Sequence, residues 1–503
     1  MKKLCCLTLA LLMLLPLVSS CGEREPEQGQ EAASPTGGSD VSSADVPAPG
    51  EEETEEPVFT RENVPDTLPE DLNFDGKTCT IFYSNGRGKY DTVEGGEELT
   101  GEVVNDAVFN CNRSVAERLN VDLQFFAENR GNWDTIAGLI SALVMAADDT
   151  YDVYQGEQYG IVQTVVSGYY HNAFELPYLD FSQPWWNSVF MDNLQFTADS
   201  RFLLTGDFDL TTLSEMWVQY YNRSIYEKQF GDPDGLYDLV REGKWTIDKM
   251  SELVEAGYLD ANGNGETDLG DQFGYVCYQT YSTVDPFMYG ADIPYTSRGE
   301  DGRIVINMSQ ERAVSLVEKT VALFHQTGVY SVSTDPFAEG QSLFCANKLG
   351  SAAAYREMED DFGFLPTPKL DEEQSAYRTL VGDVCSLTAI PVTCLDTEMA
   401  AAVLEALNAQ TWRTVTTAWY EVSLKFKYAR DLLSSDMIDL IHDSIYTDFL
   451  FAYSPKLSNL GQLMRTLVND NNTNYMSTAA KFEKSAVKLL GKMYDTLEKN
   501  KKG

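Results

Sequence analysis

Basic residues and histidine are scarce in this chain. Its 503 residues include 37 Lys and Arg against 78 Asp and Glu, and only 3 His, so the formal net charge is −41. Binding to phosphate backbones requires clustered Lys and Arg, which makes nucleic acid a poor partner for so acidic a chain. His171, His325 and His442 are too far apart in sequence to suggest a zinc site, so we interpret them as structural or surface residues.

Several enzyme signatures are also missing. No GxSxG, HExxH or P-loop stretch occurs in the sequence, which argues against the hydrolases and nucleotide enzymes that these motifs mark. The cysteines beyond residue 21 are scattered, without a CxxC pair or the spacing of a small disulfide scaffold. Some could pair, but we expect most of them to be small buried apolar residues.

The N-terminus has the layout of a secretory signal. "MKKLCCLTLALLMLLPLVSSCGE" begins with Lys2 and Lys3, continues as an apolar run and ends in small residues before Cys21. The run is shorter than the roughly 20 residues of a membrane span. "LVSSC" at 17–21 resembles the bacterial lipobox, which implies that residues 1–20 are removed and that Cys21 carries lipid. The alternative is an ordinary signal peptide followed by an accidental cysteine.

Residues 21–58 have the composition of a disordered tether. Glu, Pro, Ser, Gly and Ala dominate from Gly22 to Pro57, with Arg24 as the one basic residue and little that could form a core. A flexible chain of this length reaches about 30 to 35 Å. We therefore expect it to hold a folded domain away from the extracellular face of a bacterial cytoplasmic membrane.

The stretch "DANGNGETDLGD" at 260–271 has the spacing of a calcium loop. Calcium takes six to eight oxygen ligands around a tight turn, and Gly265 stands at the turn position. The predicted ligands are Asp260, Asn262, Asn264, the carbonyl of Glu266, Asp268 and Asp271. With three carboxylates and Asp in the last position, we expect weak binding, roughly 10⁻⁴ M or poorer, as in extracellular modules. A turn rich in Asn, Gly and Asp that binds nothing is the alternative.

The remaining chain alternates strand and helix patterns from its start. "TCTIFYS" at 78–84 is typical of a strand, and an apolar stripe from Val104 to Leu119 indicates a helix. A strand from Val121, a helix from Ile136 and the strand "YDVYQG" follow. This order predicts an α/β fold with a parallel sheet and helices on both faces, in which ligands bind at the carboxyl ends of the strands.

Between residues 69 and 498 the chain contains, in order, "LPYLDFSQPWWN", "YYNRSIYE", "YDLVREGKWTIDKMSELV", "MEDDFGFLPTPKLDEEQSAY" and "YEVSLKFKYARD". These stretches resemble extracellular solute-binding proteins of family 1, the sugar-binding lipoproteins of bacterial ABC importers. The resemblance implies a two-lobed, periplasmic-binding-protein type II-like fold, each lobe a mainly parallel sheet flanked by helices, with the ligand cleft between lobes. It places lobe 1 at 59–221 with 382–410 returning to it, and lobe 2 at 222–381 with 411–503 mainly on it.

A sugar site needs flat aromatic faces and polar edges, and closure requires both lobes to contribute. From the first lobe we predict Glu157, Gln158, Trp186 and Asp207. Opposite them we predict Tyr281, Phe287, Tyr355, Arg356 and Trp419. No residue is assigned a catalytic role.

The sequence therefore predicts a monomeric, non-enzymatic binding protein that captures a carbohydrate and delivers it to ABC permease subunits in the membrane. The calcium ion would be structural. Two alternatives of other classes remain open. A secreted glycosidase also uses paired carboxylates and aromatic platforms, and a surface adhesion lipoprotein would carry repeats or long low-complexity runs, of which we find none beyond the tether.

Overall fold

The computed structural model describes residues 61, 63–84, 93–96, 98–128, 135–278, 280–332, 334–420 and 432–500. Contacts divide the chain into residues 1–58 and 59–503. Every described residue lies in the second of these units, and the predicted signal peptide, Cys21 and the tether lie outside the described residues.

A four-stranded sheet forms the first lobe, with strand order β12-β3-β1-β2. β1 pairs in parallel with β2 and β3, and β12 is added to β3 in antiparallel orientation. Three helices pack against these strands: α1 (Val103–Leu119), α2 (Thr135–Met145) and α12 (Thr397–Arg413). The strands are β1 (Lys77–Ser84), β2 (Val121–Glu128), β3 (Val153–Glu157) and β12 (Ser386–Ala389).

A five-stranded sheet forms the second lobe, with order β10-β4-β9-β5-β8. β5 pairs in parallel with β8 and β9, whereas β4 pairs in antiparallel orientation with β9 and β10. The second sheet is therefore mixed, where the prediction had it mainly parallel. Its strands are β4 (Trp217–Asn222), β5 (Phe273–Tyr278), β8 (Val329–Val332), β9 (Ser342–Lys348) and β10 (Phe362–Leu365).

Two short ribbons complete the strands of the described residues. β6 (Thr296–Arg298) pairs with β7 (Ile304–Ile306), and β11 (Thr379–Leu380) pairs with β13 (Ile445–Tyr446).

The helices follow the predicted apolar stripes closely where the stripes are long. In α1 the residues Val104, Val108, Cys111, Val115 and Leu119 form the buried face. The helices are α1 (Val103–Leu119), α2 (Thr135–Met145), α3 (Gln158–Ile161), α4 (Ser188–Leu194), α5 (Thr211–Ser214), α6 (Arg223–Phe230), α7 (Gly235–Arg241), α8 (Ile247–Gly257), α9 (Thr280–Thr283), α10 (Asp285–Gly290), α11 (Glu311–His325), α12 (Thr397–Arg413), α13 (Val415–Ala418), α14 (Leu432–Asp443), α15 (Phe449–Ala452), α16 (Leu463–Asn469) and α17 (Tyr475–Asn500).

Side-chain caps explain where two of these helices begin. The Glu102 carboxylate accepts from Asn105 N at the start of α1, and the Thr246 hydroxyl accepts from Lys249 N at the start of α8. Each cap satisfies one of the amide groups that the first helical turn leaves without a partner. Asn120 ends α1 in the left-handed conformation, with φ of 49°.

The chain passes between the lobes at three places. β4 already belongs to the second sheet, so the first crossing lies before Trp217, earlier than the predicted crossing near Tyr221. The chain returns to the first sheet between Val381, which bridges to Met216, and Ser386 in β12. Later, α13 packs on α1 and α12, whereas α14 packs on α7 and β10. α13 and α14 therefore belong to different lobes, and residues 421–431 between them lie outside the described residues.

The six cysteines of the described residues are free and buried, which confirms that most are small apolar core residues. They are Cys79, Cys111, Cys277, Cys345, Cys385 and Cys394. Burial raises the pKa of the thiols of Cys79, Cys345 and Cys385 well above the usual range, so these groups stay neutral.

Candidate functional site where the lobes meet

The segment 381–386 joins the two sheets and is hydrogen-bonded to both lobes. Gly382 N donates to the carbonyl oxygen of Glu215 at 2.9 Å, just before β4. On the other side, Tyr159 N donates to Asp383 O at 3.0 Å and Gln158 N to Cys385 O at 2.8 Å. Because α3 starts at Gln158, the carboxyl end of β3 lies against this segment. In open sheets ligands bind at the carboxyl ends of strands, so this position is a candidate for ligand contacts.

An ion pair fills the space beside Gly382. Lys348 Nζ, at the end of β9, lies 3.1 Å from Glu215 Oε2 and 4.0 Å from the centre of the Trp217 ring. A side chain at position 382 would collide with this pair, since a Cβ there would be 1.8 Å from Lys348 Nζ. Glycine therefore allows the charged pair to lie directly on the connection between the lobes.

A second ion pair contacts the same segment. Arg465 Nε, from α16, donates to both carboxylate oxygens of Asp285 at 2.9 and 3.0 Å, and its Nη2 also contacts Asp285. The same Nη2 is 3.7 Å from Asp383 Oδ2. Asp285 is buried, and that burial raises its pKa to about 6 even though Arg465 opposes the shift. The guanidinium thus links a buried carboxylate to the connecting segment.

Asp207 belongs to a third polar group, close to the last crossing. Its Oδ2 accepts from the Thr416 hydroxyl at 2.7 Å and lies 3.7 Å from Arg61 Nη2. Burial raises the pKa of this carboxyl to about 6. Because Thr416 lies in α13, this hydrogen bond joins Asp207 of the first lobe to the helix that precedes the last crossing.

Aromatic rings stand beside this group. The rings of Trp419 and Tyr420 are perpendicular, 5.4 Å apart, and Tyr420 also contacts the His442 ring of α14 at 5.7 Å. The Arg61 guanidinium lies 4.6 Å from the centre of the Trp412 ring. Trp419 and Tyr420 are 6% and 7% exposed, so neighbouring side chains cover most of both rings in this structure. Aromatic rings and charged edges are the components of a site that recognises a ring-shaped, hydroxyl-rich ligand, provided that the ligand can reach them.

Four of the predicted residues lie in this region. Glu157 and Gln158 are buried at the carboxyl end of β3, where Glu157 is opposite Ser386 of β12. Asp207 and Trp419 lie at the last crossing. The carboxyl end of β3 and the last crossing are thus the parts of the prediction that coincide with the connections between the lobes.

Three predicted aromatic residues are packed in the interior of one lobe. Trp186 is 6% exposed and donates its ring N–H to Glu405 at 2.9 Å. Phe287 packs on Phe324, and Tyr355 is surrounded by rings of the second lobe. None of these three presents a face to a ligand in this structure, because core neighbours already cover them.

The two other predicted residues are Arg356 and Tyr281. Arg356 follows Tyr355 and is exposed. Tyr281 lies in α9, and its side chain lies outside the described residues.

Sequence reasoning missed the five charged residues that surround the connecting segment: Glu215, Asp285, Lys348, Asp383 and Arg465. They come from separate elements and share no local motif. The one available signal is their position, since Glu215 precedes β4, Lys348 ends β9 and Asp383 lies in the predicted crossing. Only the fold brings them together.

The loop 260–271 forms a dense network of its own. Asp268 accepts from the amide groups of Asn262 and Asn264 at 2.8 and 2.6 Å, while Asp260 accepts from the backbone of Gly263 and Gly265. Among the described residues, no three His, Cys, Asp or Glu side chains are placed as a metal-binding group. The three carboxylates of the predicted calcium set, Asp260, Asp268 and Asp271, are therefore not placed as such a group.

In the described part of the chain, no helix combines the length and the apolar character needed to cross a bilayer. Comparison with protein-family models and with curated protein sequences gave no match. Comparison with solved structures, in contrast, gave many.

The galacto-N-biose-/lacto-N-biose I-binding protein of an ABC transporter from Bifidobacterium longum matches with a TM-score of 0.56 and 11% identity, over 84% of this chain and 98% of that chain. The cyclic alpha-maltosyl-1,6-maltose binding protein from Arthrobacter globiformis matches with a TM-score of 0.55 and 13% identity, over 82% of this chain and 98% of that chain. The chain has the two-lobed solute-binding fold. Members of this fold differ in ligand, since UgpB from Mycobacterium tuberculosis, solved with glycerophosphocholine, matches with a TM-score of 0.52 and 13% identity, over 79% of this chain and 97% of that chain.

Proposed function

We propose that this protein is the solute-binding subunit of a bacterial ABC importer and that it captures a carbohydrate between its lobes. The observation that carries the proposal is the gathering of carboxylates, cations and aromatic rings at the connections between two sheets of a solute-binding fold. The structural neighbours from Bifidobacterium longum and Arthrobacter globiformis are described as sugar-binding proteins, which supports the ligand class.

The binding mechanism is closure of one lobe on the other. Ligand contacts that form only when both lobes are engaged favour the closed state, and the short connections absorb the rotation. Glu157, Gln158 and Asp207 would supply polar contacts from the first lobe. Trp419 is as buried as Trp186, at 6% exposure, so it would offer an aromatic face near the last crossing only when the lobes open. Lys348, at the end of β9, would contribute from the second lobe. The protein itself would carry out no chemical step.

Calorimetry and X-ray scattering against a panel of oligosaccharides test this proposal. We expect one saccharide class to bind with compaction of the protein in scattering. Trp419→Ala should weaken that binding by about 1 to 3 kcal/mol, because stacking on a sugar ring is lost. Phe126→Ala, on the exposed face of edge strand β2, serves as the control with unchanged affinity.

Three outcomes would contradict the proposal. The first is tight binding of a phosphodiester such as glycerophosphocholine in preference to any sugar. The second is turnover of a glycoside by the purified protein, which would favour the glycosidase alternative. The third is saccharide binding without compaction and without any effect of Trp419→Ala, which would place the ligand outside the cleft.

The anchoring of the protein rests on the N-terminal sequence. Cys21 would be the acylated first residue of the mature protein, and residues 21–58 would hold the binding lobes outside the cell, near the permease subunits. Cys21→Ser should release the protein into the medium. Retention on the membrane with an unmodified N-terminus would contradict the anchor.

The calcium ion would be a structural ligand of the second lobe. Its residues would be Asp260, Asn262, Asn264, the carbonyl of Glu266, Asp268 and Asp271. The spacing of these oxygen-bearing residues in the loop supports this set. In the structure the amide nitrogens of Asn262 and Asn264 face Asp268, so calcium binding would require both amide groups to turn. The loop follows α8 and precedes β5, on a connection of the second lobe, so the ion would stabilise this connection and not contact the sugar.

A further inference from the structure

Among the described residues at the connections between the lobes, negatively charged side chains outnumber positively charged ones. Three described cations belong to this group, Arg61, Lys348 and Arg465. Six carboxylates surround them: Glu157, Asp207, Asp209, Glu215, Asp285 and Asp383. Burial of Asp209 and Glu157 at 7% and 5% exposure shows that this excess is not confined to the solvent-exposed rim.

Each of the three cations already contacts a carboxylate of the protein. Arg465 is bound to Asp285 through several contacts, and Lys348 lies 3.1 Å from Glu215. Arg61 lies 3.7 Å from Asp207 and its guanidinium covers the Trp412 ring. An anionic ligand would therefore have to displace an internal partner before it gained a cation, and it would leave a buried carboxylate without compensation.

Two buried polar groups nearby have unused hydrogen-bonding capacity. Gln158 is fully buried and its Nε2 has no hydrogen-bond partner among the described residues, while its Oε1 lies 3.9 Å from the Cys385 sulfur in the connecting segment. The Tyr420 hydroxyl, also buried, likewise has none among them. A buried donor without a partner is costly, so a ligand oxygen at these positions would be stabilising. Neither group carries a charge.

We propose that the cleft selects saccharides without negative charge: neutral sugars and sugars that carry an amine are accepted, and uronates, sulfates and phosphate esters are rejected. This inference rests on the proposed function, because it assumes that the ligand lies at these connections. The neutral donors of Gln158 and Tyr420 suit hydroxyl or acetamido oxygens, and the excess of carboxylates opposes any added anion.

Two further features agree with this selection. The whole chain carries a formal charge of −41, which disfavours the approach of anions at low ionic strength. The pKa of both Asp207 and Asp285 is raised to about 6 by burial, with Asp383 adding to the shift at Asp285, so the site already resists its own negative charge.

The test begins with an array of natural oligosaccharides that includes neutral, amine-bearing, uronate, sulfated and phosphorylated members. The scaffold that binds most tightly is then prepared in three forms that differ at one primary alcohol: the alcohol, the amine and the carboxylate. Calorimetry at pH 7.5 and low salt should show at least tenfold weaker binding of the carboxylate than of the alcohol. The discrimination should shrink at high salt, because screening acts on charge alone.

A charge variant tests the cause. Asp383→Asn should reduce the penalty on the carboxylate severalfold while the alcohol form changes less. Glu311→Gln, on the exposed start of α11, removes the same charge outside the group and should leave the ratio unchanged.

The outcomes separate this inference from the proposed function. Binding of a uronate or sulfate as tight as its neutral parent would overturn the charge selection and leave a carbohydrate-binding function intact. Binding of no saccharide on the array would overturn the proposed function, and with it the selection.

Discussion

Glu405 and Asp285 are both buried carboxylates, but they are stabilised in opposite ways. Glu405, in α12, accepts hydrogen bonds from the ring N–H groups of Trp185 and Trp186, from the Thr67 hydroxyl and from Asp180 N, at 2.9 to 3.2 Å. Those four donors are neutral. Asp285 instead has a single cationic partner, Arg465, which also faces the connecting segment.

Glu405 organises the interior of one lobe, whereas Asp285 lies beside the segment that connects the two lobes. Several neutral donors fix Glu405 in one arrangement. Burial raises the pKa of its carboxyl, although the hydrogen bonds from these donors oppose that shift. An ion pair such as Asp285–Arg465 depends on one partner, so loss of that partner leaves a buried charge without compensation. Four measurements test whether buried carboxylates of these two kinds differ in this way.

The largest effect should follow from Arg465→Met. We expect the free energy of unfolding to fall by about 3 to 5 kcal/mol at pH 7.5, because Asp285 is left buried without its cation. Part of the loss should be recovered at pH 5, where Asp285 can take up a proton. Urea denaturation at both pH values measures this.

Arg312→Met provides the matched control for that measurement. Arg312 pairs with Asp371 but is 42% exposed, so its removal should cost less than about 1 kcal/mol. Equal losses in the two variants would show that the Asp285 pair has no special role.

Glu405→Gln should cost about 2 to 3 kcal/mol. Glutamine keeps the size of the side chain but replaces one acceptor with a donor that faces a Trp N–H, so at least one buried hydrogen bond is lost. Unlike the Arg465 variant, this loss should not be recovered at pH 5. Glu117→Gln, at an exposed position of α1, is the control; equal stability of both variants would contradict the role of Glu405.

Calcium removal tests a third case, a loop in which Asp260 and Asp268 are half-buried and Asp271 is buried. If the proposed loop site is filled, chelation should lower stability by roughly 1 to 3 kcal/mol at calcium well above its dissociation constant, because calcium selects the folded state. Sugar affinity should survive. A melting temperature indifferent to chelator would exclude the stabilising role, and loss of sugar binding without unfolding would contradict the separation of the two sites.

The smallest effect concerns Asp207. Its pKa is raised by burial to about 6 in the folded protein, above the roughly 3.9 of an unfolded chain, so the folded state binds the extra proton between these values. Stability from this group is therefore present at low pH and lost as the pH rises through 6. From pH 5 to 7.5, wild type should lose about 1 kcal/mol relative to Asp207→Asn in parallel thermal or urea melts. Identical pH profiles would show that Asp207 does not titrate in this range.

Periodic sequence patterns predicted the first lobe well because they record which face of an element is buried. The stripe from Val104 to Leu119 became α1 with the same five buried residues, and "TCTIFYS" became β1. The parallel pairing of β1 with β2 and β3 also confirms the predicted order of strands and helices.

The aromatic part of the site could not be predicted in the same way. Trp186 is held by Glu405, 219 positions away along the chain, and Tyr355 is covered by Tyr220 and Phe337 from other elements. A ring that will be covered and a ring that will face a cleft have the same appearance in sequence. Long-range contacts decide between them, whereas the ends of strands, such as Glu157, follow from local pattern and topology.

The size of the side chain at position 382 affects the ion pair beside the connecting segment. The site of its missing side chain is filled by the Lys348 ammonium group, with Glu215 Oε2 close by. Adding one methyl group there would alter no charge in the sequence, yet it would require the Lys348 ammonium group to move. Because that ammonium is the far end of a long flexible side chain, the shift should cost little, and an exchange of glycine for alanine would rearrange the ion pair without removing either charge.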